Sequence, residues 1–125
     1  MPNRVNLFIA SIAVFSVFAT SALAATGTAD KPLNSSSSVE SVSIQGNGAQ
    51  GTHYTNLYAG TGSGTGKLYR FIRYWPDELL NTHNVADGKG PTSLTTTFNA
   101  DWDQAYNVVA DGSSTAGIRT SVVIN

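Results

Sequence analysis

From residue 39 onward the chain is cut at close intervals by glycine- and asparagine-rich turns. Gly46-Asn47-Gly48, the stretch Gly60 to Gly66, Asp87-Gly88-Lys89-Gly90-Pro91 and Asp111-Gly112 leave only short runs between them. Those runs are rich in Val, Ile, Thr, Tyr and Phe, which suit a pleated, half-buried surface. No alternation of strand with long helix appears, so a parallel α/β sheet is ruled out. Strand-type runs repeating every eight to twelve residues or so point to an antiparallel sandwich or barrel.

Six runs carry the pattern. Val39 to Gln45 (VESVSIQ) alternates β-branched and polar residues and stops at the Gly46 turn. Thr52 to Ala59 places Tyr54 and Tyr58 on one strand face. Lys67 to Trp75 (KLYRFIRYW) is the strongest strand signal; one face would carry Leu68, Arg70, Ile72 and Tyr74, the other Lys67, Tyr69, Phe71, Arg73 and Trp75. Ser93 to Asn99 is threonine-rich, and Gln104 to Ala110 ends at Asp111-Gly112. Gly117 to Ile124 closes the chain with Ile118, Thr120, Val122 and Ile124 on one face. Pro76-Asp77-Glu78 reads differently. Proline suits a first helical position and acidic residues complement the helix dipole, so one short helix is expected from Pro76 to Asn84. The expected fold is all-β: a small antiparallel β-sandwich of immunoglobulin-like size, with one short helix after the central strand.

The front of the chain has a separate logic. Arg4 precedes an apolar run from Leu7 to Thr20, and Ser21-Ala22-Leu23-Ala24 offers small residues at A-x-A spacing. Residues 1–24 therefore read as a secretory signal peptide cleaved before Ala25. The run is too short to span a bilayer, so no integral membrane segment is expected after cleavage. Ala25 to Ser38 (ATGTADKPLNSSSS) is small and polar and reads as a flexible tether. The sandwich is then expected over 39–125, in a secreted or periplasmic protein.

Composition narrows the partners. Without Arg4 the chain keeps six of its seven basic residues against eight acidic ones. That balance supplies no electrostatic case for nucleic acid. Charged residues are only 12% of the chain, where about a quarter is usual. There is no cysteine, so disulfides, thiolate catalysis and zinc–thiolate sites are excluded. A cysteine-free exported domain leans towards a bacterial envelope, where the Asn34-Ser35-Ser36 acceptor pattern would carry no glycan.

Several motifs resemble chemical sites and fail on detail. Gly46 to Gly51 matches G-x-G-x-x-G, but a strand-type run follows it and no acidic residue lies about 20 positions on. Thr61 to Leu68 lacks the first glycine and the Ser/Thr of a phosphate loop, and reads as a hairpin loop. Asn99, Asp101 and Asp103 have calcium-loop spacing without the required glycine and glutamate. Asp101 and Asp103 also lie too close in sequence to face each other across a cleft as a glycosidase pair. His53 and His83 are the only histidines; both are expected at the surface, and no metal site or cofactor is implied.

The aromatic residues are the remaining clue. Phe71, Trp75, Phe98 and Trp102 are expected in the core. Tyr69, Arg70, Arg73, Tyr74 and Tyr106 form the candidate binding set, because rings interleaved with guanidinium groups can stack on sugars or grip a protein. The reading is an exported, non-enzymatic binding or surface-structural module for a glycan, a cell-surface component or a protein partner. Self-association is a variant, since the uncharged stretch after Arg119 would expose a pairing edge. Two other readings stay open: a small secreted toxin, antimicrobial protein or enzyme inhibitor, and a small hydrolase using His53 or His83 with Asp101 or Asp103.

Overall fold

The computed structural model describes residues 24–71, 76–88 and 90–125. Among the described residues, nine strands build two antiparallel sheets laid face to face. They are β1 (Ala25–Lys31), β2 (Val39–Glu40), β3 (Ile44–Gln45), β4 (Gln50–Gly60), β5 (Ser63–Phe71), β6 (Glu78–Ala86), β7 (Ser93–Asn99), β8 (Ala105–Gly112) and β9 (Ala116–Ile124). The first sheet has the order β1-β9-β4-β7; the second has β2-β8-β5-β6, with β3 also paired to β8. The all-β sandwich read from the turns is the architecture found.

Strand alternation builds the core. On β9, Ile118, Thr120, Val122 and Ile124 all face inward and are buried, as their shared face predicts. On β8 the inward set is Tyr106, Val108 and Ala110, and β5 adds Leu68. Phe98 leans on Tyr106 with ring centroids 5.1 Å apart. Each fully buried aliphatic side chain in such a layer contributes about 1.5–3 kcal/mol of burial free energy. Lys31 is buried as well, and its ammonium is capped by the carbonyls of Pro32 and Ser35 at 2.9 and 2.6 Å.

Five expectations are corrected. Ala25–Lys31 is no tether: it pairs residue for residue with β9, from Ala25↔Ile124 to Lys31↔Ile118. Its small residues Gly27 and Ala29, with Lys31, form the strand's buried face against the core, while Thr26, Thr28 and Asp30 face outward. The Pro76–Asn84 helix is absent, because Glu78–Ala86 pairs with β5 from Ser63↔Ala86 to Arg70↔Glu78. Its inward positions Asn81, His83 and Val85 follow a period of two, and partnered pairing outweighs weak start signals. The Gly60–Gly66 loop is reduced to a tight turn at Gly60–Gly62, both with positive φ (78° and 102°), since β5 already begins at Ser63. Val39–Gln45 is two short pairings on β8, separated by residues 41–43, where the Ser41 hydroxyl accepts from the Val108 amide at 3.0 Å. The final strand is interior, held between β1 and β4, so it offers no open edge. The expected signal peptide lies outside the described residues but for its last residue.

Candidate functional site

Alternation along β5 sends Ser63, Thr65, Lys67, Tyr69 and Phe71 to the outer face of the second sheet. Pairing decides what stands beside them. Thr65 lies between Asn84 and Asp111; Lys67 lies between Thr82 and Val109. Tyr69 lies between Leu79 and Asn107, and Phe71 beside Ala105. A register shift between Leu68 and Tyr69 skips Leu80 and brings Leu79 onto this face. Such a bulge re-aims side chains at the end of a strand pair.

The face changes character along its length. At one end, Phe71 and Leu79 are half exposed, at 50% and 49%. They flank Tyr69, which is partly covered. At the other end is an open cleft of about 640 Å³, lined by Ser63, Thr65, Asn84, Asp111 and Ser113 with Gly90 and Pro91 at its border. The Ala86 amide donates to the Pro91 carbonyl at 3.0 Å and fixes that border. Ser63 to Phe71 is eight strand steps, or about 26 Å. An extended molecule several rings long fits that span.

Below the aromatic end, Arg70 points to the sheet's inner side and holds Glu78 and Asp101, the latter at 3.3 Å. The Glu78 carboxylate raises the Arg70 pKa above its ordinary value. Arg70 is thus engaged with two acids rather than free among the rings. Tyr106, expected in the binding set, is 1% exposed. Its hydroxyl accepts from the Asp101 amide at 2.9 Å and ties the β7–β8 connection down. Arg73 and Tyr74 lie outside the described residues, as does Trp75. Phe71 and Trp102, expected in the core, are exposed; Trp102 stands over the Gly46–Gly48 turn at 73% exposure.

The outer face of the first sheet differs. Its charges and hydroxyls satisfy each other. Arg119 binds Asp30 at 2.9 Å and lies 4.5 Å from the centroid of the Tyr58 ring. Thr28 meets Ser121 at 3.0 Å, and Ser93 donates to Asn56 at 2.8 Å. Tyr54 and Tyr58 are exposed rings on that side, at 46% and 36%.

Neither histidine is at the surface. His53 on β4 and His83 on β6 are buried between the sheets with rings stacked 4.1 Å apart and 6° from parallel. Around them are Thr55, Thr120, Asn81 and Thr96, all within 2.8–3.3 Å. Burial, and then the neighbouring His83, push the His53 pKa down to about 3; burial lowers that of His83. Asp101 is turned to Arg70, so the histidine–aspartate pairing of the hydrolase reading is not brought together. Sequence reasoning missed this cluster. The signal was present: His53 and Thr55 share strand parity with Leu57, opposite the exposed Tyr54, Asn56 and Tyr58.

Compared with known protein families, curated proteins and solved structures, the chain has no significant match.

Proposed function

We propose that the protein is an exported, non-enzymatic glycan-binding module, and that the outer face of the second sheet is its binding surface. One observation supports this above the rest: the half-exposed ring of Phe71 and the partly covered ring of Tyr69 share a strand face that runs into an open cleft whose lining includes the polar side chains of Thr65, Asn84 and Asp111. Flat rings take the apolar faces of sugars, while amide, carboxylate and hydroxyl groups take their hydroxyls. The first sheet's outer face has exposed tyrosines too, but Tyr58 lies against Arg119, which is engaged with Asp30. Export is supported by the leader-like residues 1–24 and by the start of β1 at Ala25, the residue after the expected cleavage point.

A glycan array probed with the chain from Ala25 to Asn125 tests the reading. Binding to extended neutral oligosaccharides is expected. Phe71→Ala and Asn84→Ala should each weaken it by about tenfold with thermal midpoints close to the parent's, since surface changes usually stay within about 0.5 kcal/mol. Failure to bind any glycan, or variants that bind like the parent, overturns the proposal. Capture of a protein through the same residues would move it to the protein-partner reading.

A further inference from the structure

The stacked histidines are an unusual way to fill a sandwich interior. His53 belongs to the first sheet and His83 to the second, so their contact is a contact between layers. Gly66 of β5 makes room for it. A Cβ there would overlap the Thr55 hydroxyl and lie 2.6 Å from that of Thr120.

Proton accounting gives the cluster one arrangement. Thr120 donates to the Tyr54 carbonyl at 2.8 Å. Its oxygen must therefore accept from His53 Nε2 and from the Thr55 hydroxyl, both at 2.9 Å. His53 Nδ1 is then bare and accepts from the Asn81 amide at 2.9 Å. With its hydrogen given to Thr120, the Thr55 oxygen accepts from His83 Nδ1 at 2.9 Å. His83 Nε2 in turn accepts from Thr96 at 2.8 Å. Each ring thus has one hydrogen, and in this neutral arrangement every polar atom of the cluster has a partner. A second proton on His53 would require the Asn81 amide to turn its oxygen to Nδ1, and one on His83 would require the Thr96 hydroxyl to turn from donor to acceptor.

We infer that the stacked His53–His83 pair is an acid-sensitive latch between the two sheets, released by protonation so that β6 and β7 part first. Among the described residues, none that faces the pair offsets a positive charge. The inward residues of β9 are Ile118, Thr120, Val122 and Ile124, and those of β8 are Tyr106, Val108 and Ala110. From β7 come Leu94, Thr96 and Phe98; from β4, Gly51, Thr55 and Leu57; from β6, Asn81 and Val85. Among the described residues, the charged groups on the inner side are Arg70 on β5, already bound to Glu78 and Asp101, and Lys31 on β1, capped by carbonyls. The carboxylates of Glu78 and Asp101 are therefore committed elsewhere. An imidazolium stacked on imidazole in a water-poor layer is strongly disfavoured. β6 and β7 are the outer strands of their sheets on this side, and Thr96 is already exposed, so water enters there with least disruption.

Amide hydrogen exchange on the protein, followed from about pH 7 to about pH 4.5 with intrinsic rates removed, reads the release. Alongside it, NMR of the two imidazoles reads their protonation. Protection of Asn81–Ala86 and Leu94–Phe98 is expected to fall by about tenfold or more as pH drops below the ordinary imidazole value, because the opened form takes up the protons that the closed rings refuse, while β8 and β9 keep theirs. The double variant His53→Gln, His83→Gln should lose this pH dependence. Rings that protonate without loss of protection, protection lost equally throughout the chain, or a double variant that opens like the parent would each overturn the latch. Should the double variant not fold, the imidazole and exchange curves of the parent decide alone.

Discussion

The interior has two halves that hold the sheets together by different means. Between β8 and β9 the contact is apolar: Tyr106, Val108, Ile118, Val122 and Ile124 meet with little polarity. Between β4 and β6 it is a hydrogen-bonded layer of His53, Thr55, His83 and Thr120, reaching Asn81 and Thr96 at its margin. Apolar packing is indifferent to direction and to pH. The polar layer depends on register and on protonation state, because its donors and acceptors must be matched in place. The same sandwich thus gains bulk stability on one side and a sensitive, register-specific contact on the other.

Substitutions on each side sharpen that contrast. Ile118→Ala removes a fully buried side chain from the apolar half and should cost about 3–4 kcal/mol in denaturant unfolding. That loss should be the same at neutral and mildly acidic pH. Gly66→Ala wedges a methyl into the polar layer and should cost about 2–3 kcal/mol, with its damage centred on β5 and β6 in hydrogen exchange. A cost as small as that of a surface change would show the layer to be loosely packed.

His53→Ala should cost about 2–3 kcal/mol near neutrality, since Thr120 and Asn81 lose partners. Here pH decides the sign of the trend. The folded pKa of about 3 lies below the unfolded value of 6.5, so the contribution is complete above 6.5 and is lost as pH falls towards 3. By pH 5 the gap between parent and variant should narrow by about 2 kcal/mol. A gap that stays constant would place His53 with the apolar half. Tyr106→Phe gives the smallest effect, about 1 kcal/mol, because it strips one hydroxyl from the Asp101 amide and leaves the ring packed. Its readout is a modest drop in midpoint, with β7–β8 connection amides exchanging faster.

Legibility varied with how local the cause was. The Ser93–Asn99 strand and the inward face of β9 could be read from sequence, since alternation within a strand needs no partner to be visible. The β6 segment could not. Glu78-Leu79-Leu80 has helix-compatible character, and only its hydrogen bonding to β5 makes it extended. Ala25–Lys31 has no apolar alternation at all and becomes a strand because β9 offers a complete row of backbone partners. For the binding set, Tyr69 was found on the outer face, while Tyr106 turned inward, since parity on β8 puts it with Val108. The exposure of Phe71 depends on being at the end of its strand, which residue type does not reveal.

Turn chemistry and strand periodicity, both local properties of the backbone and its neighbours, were enough to determine an all-β, cysteine-free sandwich and most of its strands. Tertiary structure alone decided that the two histidines, thirty residues apart in sequence, would stack across the layers. It also decided which tyrosine faces water and which strand closes each sheet. Those outcomes depend on inter-strand register and on what the opposite sheet presents, and no stretch of sequence carries that information by itself.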